Sequence, residues 1–520
     1  MQESNIKKHQ QSSAFLSTTY VVILIALIYL ISGLFLTKYP TAYMDEAQLD
    51  SISLSKIGKF HISVFRESSS FYPIGFLYFG SHYICFKFLG YTLFAARITS
   101  LLCMYGASFF LYRIILRFTS NIKLGFITVV LFSIIETVIY ASHLARPEVF
   151  LLFWILMCLY LFLKVAKSDL FYKHLVFGLL CGVGFEIHLN AFILCLCILL
   201  LYIFYEYQSW KKKLKRIIAW GLGAGTILLI SFLVRYYMYP LFFIHLDAFA
   251  NLQGNSDGLS YRLKRNIIFF VKSFWEPRYH RKMLDFAILC IAVIGSFYFL
   301  LSKKYNNLYK LPIKFFFICL FSFEAGFLIM GVFDTNYIIF LYPFFIVLFS
   351  LLLPGLSNIW IKINASTSKI LTILIVIFAS QSAYTFWKFY PSNYEEYLSK
   401  VKVYLPSGNT VIGDEINGYG FFEKYDYIAF RDIVFAVNHQ KMSIEDYFRK
   451  YNIKYIIYTE YWDYMVKNNI GYGNIDRKIF ESFLNKNAEQ IGLVHDYVYG
   501  MANQKFGNCW TIIYKIKESI

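Results

Sequence analysis

The sequence predicts a polytopic α-helical membrane protein of about 11 transmembrane helices, with a C-terminal extracytoplasmic α/β domain. Two observations carry the membrane part. Of 520 residues, 58% are hydrophobic and only 16% charged, whereas soluble proteins carry about 25% charged residues. The apolar residues also gather in runs near the ~20 residues a helix needs to cross a bilayer. A third observation sets the tail apart: beyond about Pro391 the long apolar runs stop.

The first run, Ser17–Thr37, follows Lys7 and Lys8. It is longer than a signal-peptide core and lacks a clear small-x-small cleavage site, so it reads as an uncleaved signal anchor. Further spans are expected at Leu93–Leu116, Leu124–Ala141, Val149–Ala166, His174–Ile187, Leu189–Tyr205 and Ile217–Tyr237. Four more follow at Met283–Ser302, Leu311–Gly331, Tyr337–Gly355 and Ile370–Phe389. The stretch Pro73–Leu89 is interrupted by His82 and Lys87 and reads as a helix lying at the interface.

Loop charge sets the orientation. Arg117–Lys123, Lys164–His174, Lys211–Arg216, Ser302–Lys314 and Lys362–Lys369 are short and basic, which the positive-inside rule places in the cytoplasm together with the N-terminus. The expected location is therefore the plasma (inner) membrane, multi-pass, with the C-terminal domain extracytoplasmic. The outer segments are then 38–92, the turn at Arg146-Pro147-Glu148, the turn at His188, the long loop 239–282 and Phe333–Asn336.

Residues 1–390 form the expected membrane module and 391–520 the outer domain, about 130 residues and a usual domain size. In the tail, Thr410–Ile412, Lys454–Tyr458 and Thr511–Ile516 read as strands, and Ser443–Tyr451 and Asp476–Lys486 have helical spacing.

The net charge of +18 does not indicate nucleic acid, because the basic residues fall between hydrophobic runs and no basic-aromatic module is visible. Eight of nine cysteines lie in apolar stretches as small hydrophobes, Cys509 stands alone in the tail, and none has zinc-site spacing.

The candidate chemistry gathers on the outer face. Asp45-Glu46 lies just past the first span, and Arg146-Pro147-Glu148 opens the fourth. Each has an ordinary reading as a helix cap favoured by the dipole; together, two acidic sites on one face support general-base chemistry or cation binding. His188 and Asn190 interrupt an apolar run, the ordinary reading being a hydrogen-bonded turn. Arg262, Arg265 and Arg278 sit in the long outer loop against the positive-inside trend. A phosphate headgroup is one cause, since arginine offers a forked donor pair to phosphate oxygens; attraction to anionic membrane lipid is the other.

The order of these pieces resembles the polyprenyl-phosphate-sugar-dependent glycosyltransferases of the GT-C type, with the protein O-mannosyltransferases and lipid A aminoarabinose transferases as the nearest branches (glycosyltransferase family 39-like). The matching pieces are Met44-Asp45-Glu46-Ala47, the stretch Tyr72–Tyr78, Phe94-Ala95-Ala96-Arg97-Ile98, Ala145-Arg146-Pro147-Glu148, and Tyr337–Pro343 as a Tyr-x-x-x-x-x-Pro span start. The resemblance covers roughly residues 15 to 390, and the tail more loosely through Lys454–Tyr458. It implies a GT-C-like fold in which Asp45 is the catalytic base with Glu46 in support, and Glu148 occupies the second acidic position. That position is often Asp in the family, so Glu148 departs in length. Phe71-Tyr72-Pro73 replaces the Lys before paired prolines of the aminoarabinose branch, which leaves the lipid phosphate to Arg66 or the long outer loop. His188, standing for the family's Lys near the fifth and sixth spans, and Asn190 become possible polar contacts, and Tyr337 a substrate contact.

The implied reaction is inverting transfer of a sugar from a polyprenyl-phosphate donor to an acceptor hydroxyl on a lipid, glycan or protein. The leaving phosphate needs little acid assistance, whereas the hydroxyl needs a base, worth about 10²–10⁴-fold. No cofactor is required, and two acidic sites leave room for a divalent metal without arguing for one. The alternative is a flippase or transporter of a lipid-linked sugar, kept open by Glu136, Glu186 and Glu324 near or within spans. The two differ in where the carboxylates sit: around a cavity at one end for the enzyme, along a central pathway for the transporter.

Overall fold

The computed structural model describes residues 2–40, 42, 46, 75–205, 209–238, 258–275, 282–302, 307–331, 333–357, 367–421, 424–468, 475–497, 499 and 509–518. Asp45, Arg66 and Arg278 lie outside these residues.

The chain is a multi-pass membrane protein built from apolar helices. In chain order these are α1 (Gln2–Gly33), α2 (Phe76–Leu89), α3 (Leu93–Thr119), α4 (Ile122–Ile134), α5 (Glu136–Ser142), α6 (Pro147–Val165), α7 (Phe171–Val183) and α8 (Ala191–Phe204). They continue as α9 (Trp210–Met238), α10 (Leu259–Phe274), α11 (Met283–Leu301), α12 (Asn307–Met330), α13 (Tyr342–Ser357) and α14 (Thr367–Phe389). Seven helices among the described residues are long and apolar enough to cross a membrane, or eight with α4 and α5 taken as one bent span. Each run read from the sequence coincides with a helix or with this bent pair; α7 and α8 are shorter than a bilayer requires.

The helix boundaries follow from capping. Thr92 Oγ1 accepts from Ala95 N–H (3.1 Å) at the start of α3, and Asn121 Oδ1 from Leu124 N–H (3.0 Å) at the start of α4. Pro147 occupies the first turn of α6, where its missing N–H costs nothing. The interrupted stretch around His82 forms α2 and buries Tyr78, Phe79, His82 and Phe86 on one side. The outer segment 239–282, read from the sequence as a loop, contains α10. Its exposed Leu259, Leu263, Ile267 and Val271 recur at helical spacing.

The tail holds a five-stranded sheet in the order β2-β1-β3-β5-β4, with β1 Thr410–Gly413, β2 Asp426–Ala429, β3 Ile453–Thr459, β4 Ala488–Asp496 and β5 Cys509–Ile516. β1 pairs in parallel with β2 and β3, whereas β5 runs antiparallel to β3 and β4. Strands β2 and β4 were not legible in the sequence, β2 because it is only four residues long and β4 because its buried side is sparse.

The period of two sends alternate side chains to two different cores. Ile412, Ile428, Ile456 and Tyr458 meet Phe430, Phe448, Phe480 and Phe483 from helices of the tail. Val411, Tyr427, Ile457 and Ile513 instead join Tyr39, Phe86, Tyr91, Leu93 and Ala145 from the membrane module. One sheet face therefore rests on the end of the helix bundle where Ala145 and α2 lie.

Candidate active site

At that end a cavity of about 590 Å³ opens between α5, the start of α6, the end of α10, the start of α11 and the segment 333–339. Its charged lining is Glu136, Arg146, Glu148, Lys272 and Lys282. This volume lies within the usual range of ~300–1,000 Å³ for a small-molecule site.

Glu46 anchors the first outer loop beside the cavity. The Arg97 guanidinium donates from Nε to Glu46 Oε1 (2.9 Å) and from Nη2 to Oε2 (2.8 Å), and its Nη1 donates to the carbonyls of Leu36 (2.7 Å) and Pro40 (2.9 Å). Ala145 N–H adds a bond to Glu46 Oε1 at 2.7 Å. Both side chains are fully buried. A buried ion pair holds only when its donors and lone pairs are satisfied, and here they are. At the same residue, Tyr78 O–H donates to the Ala145 carbonyl (2.9 Å). Glu46, expected to support a catalytic base, is thus a sealed brace that ties the first loop to the strand of backbone leading into Arg146. The helix pattern Phe94–Ile98 acquires a physical reason: Arg97 must face inward and the alanines beside it are small enough to pack close.

The second pair faces the cavity. Arg146 Nε donates to Glu148 Oε2 (3.1 Å) and Nη2 to Oε1 (2.7 Å), and Nη2 lies 3.8 Å from Asp334 Oδ2. Asp334 in turn accepts from Asn336 N–H (2.9 Å). Glu148 therefore does more than cap α6.

Behind this wall stand His188, Asn190 and Tyr337, brought together from distant parts of the chain. The His188 and Tyr337 rings meet edge-on at 6.4 Å, and Tyr337 is surrounded by Glu148, Asp334, Arg146 and Asn190. Asn190 N–H donates to His188 Nδ1 (3.0 Å), which fixes Nδ1 as an acceptor and leaves the ring proton on Nε2. Burial first, and then the Arg146 cation, push the His188 pKa down to about 3. The ring is neutral at physiological pH and stands as a polar contact behind the cavity wall.

The outer-loop cations divide differently from the sequence expectation. Arg262 Nη1 donates to the Ile329 carbonyl (2.5 Å) at the end of α12, and Arg265 lies over the Phe333 ring at 5.7 Å. Neither lines the cavity; Lys272 and Lys282 do. Position along α10 is the reason: Arg265 and Lys272, seven residues apart, share one face, but Lys272 lies ~10 Å further along, at the end where the cavity opens. Reading 259–274 as an amphipathic helix puts Lys272 on the same face as Arg265 and nearer its far end. Among the described residues no three His, Cys, Asp or Glu side chains converge as metal ligands would.

Three comparisons place this architecture among known proteins. Residues 74–237 match a family model described as dolichyl-phosphate-mannose-protein mannosyltransferase. The fold is similar to the crystal structure of ArnT from Cupriavidus metallidurans bound to undecaprenyl phosphate, with a TM-score of 0.59 at 10% identity over 95% of this chain and 97% of that one. It is equally similar to the same organism's ArnT in the apo state, with a TM-score of 0.59 at 11% identity over 95% of this chain and 98% of that one. No curated protein matches the sequence. The chain thus has an ArnT-like fold along nearly its whole length, and the resemblance read from the sequence is borne out.

Proposed function

We propose that this chain is an integral-membrane inverting glycosyltransferase that moves a sugar from a polyprenyl-phosphate donor to an acceptor hydroxyl, with Asp45 as the general base. The observation that carries the reading is the cavity. Three cations, Arg146, Lys272 and Lys282, share it with Glu148 beside the anchored first loop, in a fold like that of a protein crystallised with undecaprenyl phosphate.

In the proposed step the acceptor oxygen attacks the anomeric carbon from the face opposite the phosphate while Asp45 takes its proton. The bond between the anomeric carbon and the phosphate oxygen breaks, and its electron pair leaves with the polyprenyl phosphate. The leaving group gains one negative charge. Fixed cations aimed at that charge stabilise the transition state more than the ground state, and Lys272 and Lys282 are placed for it. Arg146 is partly neutralised by Glu148, so its part is to orient the donor. Glu46 holds the segment that carries Asp45 through its brace to Arg97. The exposed apolar side of α10 faces lipid, where the prenyl tail would lie. On this reading the cavity and tail sit on the extracytoplasmic side of the plasma membrane.

The test is transfer of radiolabelled sugar from a panel of polyprenyl-phosphate sugars, using membranes holding the wild type or Asp45→Asn. Label that reaches an acceptor with the wild type alone supports the proposal. Equal labelling by both removes Asp45 as base.

A further inference from the structure

We propose that Glu136 is the donor-sugar recognition residue, a carboxylate that accepts hydrogen bonds from hydroxyls of the transferred sugar; this rests on the reading of the cavity as a glycosyl-transfer site. Glu136 sits where the third apolar run breaks. Ile135, with φ −65° and ψ 132°, separates α4 from α5, and the two helices bend by 67°. Ser382 Oγ occupies the released carbonyl of Ile134 at 2.6 Å. Non-helical backbone at membrane depth is tolerated where it is buried in protein or lines a cavity, and α5 lines this one through Glu136, Thr137 and Tyr140.

The carboxylates near or within spans are used unequally. Asp285 accepts from Tyr342 O–H (2.6 Å), and Tyr342 is joined to Thr137 Oγ1 (2.9 Å). Glu186 is held by Arg235 (3.1 Å) and accepts from Phe76 N–H (3.2 Å); Glu324 accepts from Asn266 (2.6 Å). Glu136 is only 8% exposed, lines the cavity, and makes no hydrogen bond or ion pair with any described residue. A carboxylate without protein donors is satisfied by whatever donors enter the cavity, water or ligand.

The chemistry of its surroundings selects the ligand group. Lys282 and Lys388 already act on Glu136 electrostatically, against Asp285 of like sign, so the site calls for donors more than for another cation. A phosphate is repelled by a carboxylate and a prenyl chain offers it nothing. The hydroxyls of the sugar are neutral donors, and paired hydroxyls match the two oxygens of one carboxylate. Lys282 lines the same cavity and is a phosphate candidate. The donor sugar is one glycosidic oxygen away from that phosphate, within reach of a group beside Lys282.

The experiment measures binding and transfer by full-length protein in nanodiscs, with a polyprenyl-phosphate hexose, its monodeoxy analogues and sugar-free undecaprenyl phosphate. Glu136→Gln keeps the shape and removes the charge; Glu136→Asp keeps the charge and withdraws it. We expect Glu136→Gln to raise KM for the hydroxylated donor tenfold or more with a smaller change in kcat. Affinity for undecaprenyl phosphate stays unchanged, and one deoxy analogue shows no further loss in the variant. Equal loss of undecaprenyl phosphate affinity, unchanged donor KM, or an effect confined to acceptor KM each overturns the proposal. An active Asp45→Asn variant alongside a donor-specific Glu136→Gln defect would sink the assigned base while leaving this site standing.

Discussion

Two arginine–glutamate pairs lie within a few residues of one another in space, and they do different work. Arg97–Glu46 and Arg146–Glu148 are both bidentate, with Nη2 to carboxylate distances of 2.8 Å and 2.7 Å. The first is sealed: neither side chain has any exposed surface, and the remaining donors go to backbone carbonyls. The second lines a cavity, with side chains 9% and 4% exposed. Identical pairing chemistry therefore gives a brace in one place and a charged working surface in the other. The neighbourhood decides: a cavity opens onto Arg146 and Glu148, whereas protein encloses Arg97 and Glu46.

The comparison breaks most visibly at the sealed pair. Arg97→Met leaves Glu46 as a buried charge without its forked partner, and removing one partner of such a pair costs about 3–5 kcal/mol. We expect a large loss of folded protein in detergent, seen as a collapse of the monodisperse peak and a strongly lowered Tm. Arg97→Lys should not rescue it, because an ammonium cannot reproduce the forked donation to both Glu46 oxygens together with the carbonyls of Leu36 and Pro40.

Glu148→Gln should behave in the opposite way. The cavity supplies solvent and Asp334 remains near Arg146, so the Tm should move little. Transfer should fall about 100-fold, near 2.7 kcal/mol of transition-state stabilisation, because Arg146 loses the partner that orients it. A variant that unfolds while retaining its specific activity would show that Glu148 is a second brace.

How much of this was legible beforehand differs between the same regions. The helix runs follow from apolarity alone, and the acidic residues 45, 46 and 148 stood out because charge is scarce in such a chain. That Glu46 turns inward to Arg97 was not legible: the sequence places the two 51 residues apart, and only tertiary packing brings a helix residue under a loop. The convergence of His188, Asn190 and Tyr337 on Arg146 was hidden for the same reason. The long outer segment was misread because its basic residues were weighed as a set of charges. Their positions along α10, which put Arg262 beside α12 and Lys272 at the cavity, follow only from the fold.

His188 sharpens the contrast through pH. Its folded pKa is depressed to about 3 from the ordinary 6.5, so between these values the unfolded chain binds the extra proton. Stability is then complete above about pH 6.5 and is lost as the pH falls toward 3. Between pH 7 and 5 the loss is about 2 kcal/mol. Thermal unfolding of His188→Gln should lose this part of the acid sensitivity. An unchanged pH profile in the variant would mean that the ring titrates normally and that Arg146 does not face it.

The smallest expected effect lies where the tail meets the first loop. Tyr499 O–H donates to the Thr37 carbonyl (3.3 Å), and its ring stacks on Tyr397 with centroids 5.1 Å apart. Lys38 Nζ reaches the Tyr390 carbonyl nearby (3.2 Å). These contacts hold the same end of the first loop as Arg97 does, with neutral or exposed groups. Tyr499→Phe keeps the stacked ring and removes one long hydrogen bond, which is worth about 0.5–1.5 kcal/mol. The Tm should drop slightly and transfer should stay within twofold, because the Arg97–Glu46 brace still fixes the loop. If Tyr499→Phe instead abolished transfer without lowering the Tm, the tail would be a positioning element of the site in its own right, and the sealed pair would not suffice to hold the first loop.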